Sequence, residues 1–454
     1  MFLAFAVLAG VSNWIPMRWN SGDPRSLDLL KDTPVNCVLL ERSDWDPRFV
    51  KIAASRGIAT IAVVHSGPDL ADQAKHAARM KMNAVALAGE YDSEEGDRLR
   101  AALVDTSAIP IELPIRRHVR IDSHDPVVGT SQALWPGVEV EHGGRTVTGP
   151  SSNPWINTNS GFLRFVRSTT NAAIWVDVRP PPKLAVTVDQ YCVAIADSAM
   201  TGAHWIVSLD DDLDRRLLTG DAQAAAGWKR IAAYLRYFET YPEWRDYRPF
   251  SEMAVVEDTD SGGLLSSSLL DMLSVLHTSV RPVPTRRLSA ESLHGARIVL
   301  NVDAETISEQ QKQALQDFAA SGGVIVNPPP GWRFPQVSER QMAPTRRQMD
   351  QIGGMWEVTY TATARKNFGV RTFNTSTMLF NLMAARDHKS LLIHLVNYTD
   401  FAAETITVQA LGTWKRARLY RPDGATIELS VYPANDGTGV DIERIAVAGT
   451  LRID

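Results

Sequence analysis

Cysteine is nearly missing from this chain, with two in 454 residues, Cys37 and Cys192. They lie far apart in apolar surroundings, which excludes a disulfide framework and a cysteine-rich zinc site, and leaves buried free thiols as the expectation. No apolar run reaches the ~20 residues that span a bilayer, so no membrane partner is expected once the chain is processed. A surplus of positive charge is also lacking. Lys and Arg number 47 against 52 Asp and Glu, a net charge of −5. Nucleic acid and anionic membrane surfaces, which require concentrated positive charge, drop out as partners. The ten histidines include no H-E-x-x-H pair, so no dedicated metal site is expected. A serine nucleophile would sit in G-x-S-x-G, and that motif does not occur.

What is present is ordinary globular composition, 44% hydrophobic and 22% charged, over a length that suggests about three domains at ~150 residues each. Residues 1–12 open with the apolar run Met1-Phe-Leu-Ala-Phe-Ala-Val-Leu-Ala-Gly10. It reads as the apolar part of a secretory signal, and hence as export to the periplasm or beyond, although the usual basic start is lacking. A buried first strand is the other reading.

Residues 13–250 alternate short apolar runs with amphipathic stretches, the pattern of βα units around a parallel sheet. Strands are expected at 13–19, 36–41, 58–65, 83–90, 109–115, 172–177 and 204–210. Helices are expected at 26–31, 69–81, 94–104, 190–201 and 222–239. The count and size suit a (β/α)₈-type barrel with one irregular unit, because 114–154 shows no clean helical period. Residues 251–335 read as a flavodoxin-like α/β layer. Its strands are 253–257, 279–283, 297–302 and 323–327, and its helices 264–277 and 308–321. Ser308 followed by Gln311 reads as a capping box at the second helix. Residues 336–454 open on a polar Gln/Arg stretch and turn to alternating strands at 390–398, 404–410, 414–420, 426–431 and 439–445, a small antiparallel β-sandwich.

The segments Met253-Ala-Val-Val-Glu-Asp258, Ala296-Arg-Ile-Val-Leu-Asn-Val302, Ser321-Gly-Gly-Val-Ile-Val326 and His394-Leu-Val-Asn-Tyr-Thr399, with the helix ending at His277, carry a family resemblance. In this order of domains the chain resembles β-galactosidases with an amidotransferase-like trimerisation domain, and related glycoside hydrolases. The resemblance covers most of 253–454 and implies a homo-oligomer assembled through the middle layer. Residues 253–330 hold no cysteine, so this layer lacks the thiolate of glutaminase chemistry and is expected to be inert. The loop Asp258-Thr-Asp-Ser-Gly-Gly263 is expected to be a plain turn; phosphate or cation binding are the alternatives, and it lacks a phosphate-loop motif.

Barrel chemistry is expected at the C-terminal ends of the strands. Glu41, His65, Glu90, Asp177 and Asp210 fall there. Glycosidic hydrolysis needs one carboxyl group to protonate the leaving oxygen and a second to attack the anomeric carbon or activate water. Glu90 is the candidate acid, with Gly89 leaving room beside it; Asp210 is the candidate nucleophile or base, and Glu41 stands in for either. Helix capping and ion pairing are the competing roles for all three.

Sugars stack on indoles and hydrogen-bond to amides and charges, so Trp14, Trp19, Trp45, Trp135, Trp155, Trp175 and Trp205 count as candidate faces. The segment Ser151-Ser-Asn-Pro-Trp-Ile-Asn-Thr-Asn-Ser-Gly161 reads as a substrate loop through Trp155, Asn157 and Asn159. Arg18, Trp19, His65 and Asp177 complete the substrate-binding candidates, and Arg164 and Arg167 are weighed against ordinary salt bridging. The expected function is cofactor-free, two-carboxylate hydrolysis of an oligo- or polysaccharide. A non-catalytic carbohydrate-binding or assembly protein is the alternative. A lyase or epimerase using His65 or a tyrosine as base is a third reading.

Overall fold

The computed structural model describes residues 10–121, 124–140, 146–148, 156–181, 186–257, 265–275, 277–302, 307–330, 332, 345–363, 366–375 and 378–454. The chain divides into two compact units. The first is Met1–Trp135 with Thr170–Ala199 and Ala203–Thr240; the second is Pro136–Thr169 with Met200–Gly202 and Tyr241–Asp454.

In the first unit, five apolar runs form one parallel sheet in sequence order: β1 (Pro16–Trp19), β2 (Cys37–Leu40), β3 (Ala59–Val64), β4 (Ala84–Gly89) and β5 (Ile109–Pro114). Their runs of Val, Leu, Ile and Ala are buried on both faces, as parallel strands under helices must be. A second parallel sheet joins β6 (Val127–Thr130), β7 (Ala173–Val176) and β8 (His204–Trp205). The edges of the two sheets exchange backbone hydrogen bonds at both sides. Arg18 N donates to Val207 O at 2.8 Å and Val207 N to Pro16 O at 3.0 Å, while Ser131 N donates to Pro114 O at 2.9 Å.

Between the strands run α1 (Pro47–Ser55), α2 (Leu70–Arg79) and α3 (Ser93–Leu103), then α4 (Val188–Ala199), α5 (Asp211–Leu218) and α6 (Ala222–Glu239). Aspartates start several of them. Asp46, Asp92 and Asp221 each accept a backbone N–H of the first turn, satisfying a donor the helix leaves open. Alternate residues of six strands, including Cys37, Leu39, Ile61, Val63, Ala86, Ile111, Leu113 and Trp175, share one apolar core.

Two expectations shift here. The helix at 26–31 is a 3₁₀ turn, Pro24–Leu30, and the strand at 204–210 ends at Trp205, with Asp210 capping α5. The segment 114–154 contains β6, which its glycine and charge conceal. Gly129 in β6 leaves no space for a side chain: an added Cβ would stand 2.4 Å from a Leu113 methyl.

The second unit contains a four-stranded parallel sheet of β9 (Met253–Glu257), β10 (Arg281–Pro284), β11 (Ile298–Asn301) and β12 (Val324–Val326), in the order β10-β9-β11-β12. With it go α7 (Leu265–Val275), α8 (Glu309–Ala320) and α9 (Arg346–Thr363). Ser308 and Gln311 form the capping box of α8. Helix α9 fills the stretch that reads as merely polar. The helix Ser160–Thr169 also belongs to this unit; Ser160 Oγ and Gly161 N donate to Asp271 on α7, and Arg164 donates to Ser274 at 2.8 Å.

Two larger antiparallel sheets complete the unit, together with a two-stranded one of Val138–Val140 and Thr146–Thr148. Strands β13 (Val370–Phe373), β14 (Met378–Ala384), β15 (Leu391–Asn397), β16 (Ala403–Leu411), β17 (Ala417–Tyr420), β18 (Thr426–Leu429), β19 (Val431–Ala434), β20 (Gly437–Ile445) and β21 (Ala448–Ile453) follow in sequence. One sheet runs from the short strand Arg248–Pro249 through β14-β15-β21-β17-β18, the other β13-β16-β20-β19. Phe380, Ile393 and Leu451 of the first sheet share a core with Val408, Val440 and Ile442 of the second. Strands β13, β14, β19 and β21 are additions to the expected set.

Candidate functional site

The period-two rule of a strand places the candidates. Leu39 faces the core of the first unit, so Glu41, two residues on, projects from the same face beyond the strand end; Val63 and Trp175 place His65 and Asp177 in the same way. The side chains meet around one guanidinium. Arg18 Nε donates to Asp177 Oδ1 at 2.9 Å and Nη2 to Asp177 Oδ2, a fork-to-fork pair, while Nη1 donates to Glu41 Oε1 at 2.9 Å. Arg18 is 9% exposed and Asp177 7%, so the pair is largely withdrawn from water. Both carboxylates raise the affinity of the Arg18 guanidinium for its proton, against the opposing effect of burial.

Glu41 has two further neighbours. Arg179 Nη2 donates to its Oε1 at 2.9 Å, and His65 Nε2 lies 3.4 Å from its Oε2. The other ring nitrogen of His65 is 3.1 Å from Ala88 O. Two guanidiniums and an imidazole thus surround the Glu41 carboxylate.

Asp210 serves α5 and Tyr191 at once. Its Oδ1 accepts from Asp212 N and Leu213 N at 3.0 Å, and its Oδ2 accepts from Tyr191 Oη at 2.6 Å. Tyr191 Oη in turn accepts from Asp210 N at 2.9 Å. The Tyr191 ring is buried, edge-on to Trp135 and stacked on Trp205, and burial followed by the bond to Asp210 pushes its hydroxyl pKa up. Asp210, Arg18 and Arg179 line one cleft of about 390 Å³, with Asn20, Ser208 and the start of α5.

Glu90 follows β4 as an exposed residue, so an acid role for it rests on its place at a strand end and not on burial. Gly89 has φ +113°, a conformation that favours glycine, and an added Cβ would meet nothing within 4 Å; the glycine is there for the turn and not for room.

The indoles are corrected most. Trp19, Trp135, Trp175 and Trp205 are all buried, and Trp19 donates to Ser26 Oγ at 3.1 Å behind β1. They pack the unit and present no face to a ligand. Trp14 and Trp45 are half-buried, the former against Trp175 and the latter stacked on His76. Trp155 lies outside the described residues. Asn157 accepts Gly137 N through its backbone oxygen, and the buried Asn159 precedes the helix Ser160–Thr169; both belong to the second unit.

Arg179 and Tyr191 are the residues sequence reasoning passes over. Arg179 carries a signal, two positions beyond Asp177 and followed by Pro180 and Pro181. Tyr191 reads as the core of α4 and carries none. Among the described residues no three His, Cys, Asp or Glu side chains are grouped to share a metal ion, and no helix is long and apolar enough to cross a membrane. Burial pushes the thiol pKa values of Cys37 and Cys192 up.

No protein-family model matches this chain, and no curated protein matches it in sequence. Among solved structures it is similar to alpha-L-fucosidase isoenzyme 2 from Paenibacillus thiaminolyticus, over 97% of this chain and 99% of that one, with a TM-score of 0.66 at 9% identity. A rhamnosidase from Novosphingobium sp. PP1Y aligns over 89% of this chain and 46% of its own, with a TM-score of 0.48 at 10% identity. The first likeness spans both chains from end to end, and by it this chain has the fold of a glycoside hydrolase.

Proposed function

We propose that the chain is a glycoside hydrolase whose saccharide lies over the C-terminal ends of β1 to β4, β7 and β8. The observation that carries this reading is the convergence of Arg18, Glu41, His65 and Asp177 at one set of strand ends, beside the cleft that Asp210 lines. In this reading the eight parallel strands of the first unit form a (β/α)₈ barrel, supported by the backbone bonds at Val207 and Ser131. Residues 251–335 are an inert amidotransferase-like layer that assembles a homo-oligomer, 336–454 are a β-sandwich, and 1–12 direct export to the periplasm or beyond.

In the proposed chemistry Asp210, an acceptor in all three of its side-chain bonds, acts as nucleophile or base toward the anomeric carbon or its water. Glu90 gives its proton to the leaving oxygen as the glycosidic C–O bond breaks, and water supplies the hydroxyl and the returning proton. Glu41 and Asp177 hold Arg18 in place and stay out of the proton transfers.

A panel of oligo- and polysaccharides incubated with the purified chain tests this, with released reducing ends as the readout. Glu90→Gln and Asp210→Asn should each abolish release while melting stays within a few degrees of the parent. Full activity in either variant overturns that assignment. A second reading is favoured by the two carboxylates, Glu41 and Asp177, already offset by Arg18 and Arg179: a saccharide-binding protein without hydrolysis. It predicts retention of glycans with no reducing ends from any member of the panel.

A further inference from the structure

We infer that Arg179 is the residue that selects the saccharide, gripping two adjacent hydroxyls of a neutral sugar, and that the cleft discriminates against the corresponding uronates. This deepens the proposed function and rests on its carbohydrate reading.

The two cleft arginines are in different states. Arg18 turns its Nε, Nη1 and Nη2 donors toward Asp177 and Glu41 and is almost buried. Arg179 is 60% exposed, and among the described residues its side chain is tied only through Nη2 to Glu41. Arg179 also lines the cleft, and its remaining N–H donors have no partner among the described residues. Glu41 fixes one end of the guanidinium, and Pro180 and Pro181 restrict the backbone that follows it. The donor is therefore largely preorganised, and little motion is lost when a ligand arrives.

A guanidinium fork fits two oxygens side by side, which a sugar offers either as vicinal hydroxyls or as a carboxylate. The surrounding charge decides between them. Glu41 and Asp177 offset Arg18 and Arg179, and Asp212 is faced by Arg215 and Arg216. Asp210 and Asp211 line the cleft and have no basic partner among the described residues. An incoming carboxylate meets uncompensated negative charge beside Arg179, while a neutral diol meets the same donors without that repulsion.

The test is binding, read by saturation-transfer NMR on the full chain. Methyl glycosides of neutral hexoses and 6-deoxyhexoses are titrated beside methyl glucuronide and methyl galacturonide. At least one neutral glycoside should bind, with both uronates at least about tenfold weaker. Arg179→Ala should weaken the neutral ligand by about tenfold or more, and Arg179→Lys should restore only part of the loss, because an ammonium lacks the fork. Circular dichroism melts of both variants should match the parent, since the side chain is exposed. Uronates that bind as well as the neutral glycosides, or an Arg179→Ala chain that binds them unchanged, overturn this inference and leave the carbohydrate reading standing. A chain that binds no saccharide at all overturns both.

Discussion

In the first unit Glu41 and Asp177 follow their parallel strands within bonding distance of Arg18, whereas in the second unit Glu257 ends β9 fully buried, with neither carboxylate oxygen hydrogen-bonded among the described residues. Burial, and then the nearby Asp271 carboxylate, push the Glu257 pKa well up. The same local signal, an acidic residue closing an apolar run, thus produces a charged network in one place and a carboxyl group biased toward its neutral form in the other. An uncompensated buried charge costs several kcal/mol, so a strand end can keep an ionised acid only where another segment delivers a cation.

Removing that cation breaks the contrast most strongly. Arg18→Ala strands Asp177 without its partner and should cost about 3–5 kcal/mol in urea unfolding followed by tryptophan fluorescence, with a second Asp177→Asn substitution recovering part of it. The second unit should instead reveal itself through pH. Burial pulls the pKa of His394 on β15 down to about 4, so its neutral form supports the fold above the ordinary value of ~6.5. That support drains as the pH falls from ~6.5 to about 4, amounts to about 3 kcal/mol, and should vanish from the stability–pH curve of His394→Gln.

Glu257 works in the opposite sense. Its folded pKa lies above the unfolded value of ~4.3, so its contribution is complete below that value and is lost as the pH rises toward the raised one. Glu257→Gln should flatten the decline in stability that begins above pH ~4.3, as read from urea unfolding across pH.

Tyr191→Phe removes one bond to a charged group at Asp210, and the loss should be about 1.5–3 kcal/mol. Smallest is Arg215→Ala on the exposed pair with Asp212, where less than about 1 kcal/mol is expected. A value as large as that of Arg18→Ala would erase the distinction between screened and withdrawn ion pairs.

Much of the first unit is legible because continuous apolar runs such as Thr60-Ile-Ala-Val-Val64 have one outlet, a parallel strand covered on both faces. The alternation inside those runs also carries Arg18, Glu41, His65 and Asp177 to one face. The indoles mislead for a physical reason. Trp19, Trp135, Trp175 and Trp205 have the composition of a sugar platform, but whether an indole faces solvent depends on which helix covers it. Helix α9 goes unread because its buried stripe, Ile352, Met355, Thr359 and Thr363, is half threonine, and β6 because Gly129 interrupts it.

By itself the sequence determined the order of its elements, the near-absence of thiol chemistry and the strand ends at which acids accumulate, since these follow from local periodicity and residue type. Only the tertiary structure decided which acids would meet a guanidinium. Arg18 lies 23 residues from Glu41 and 159 from Asp177, and no local preference of the backbone can encode that meeting. It arises when neighbouring strands bring their ends together, and the state of each carboxylate is then set by the charge and water that remain around it.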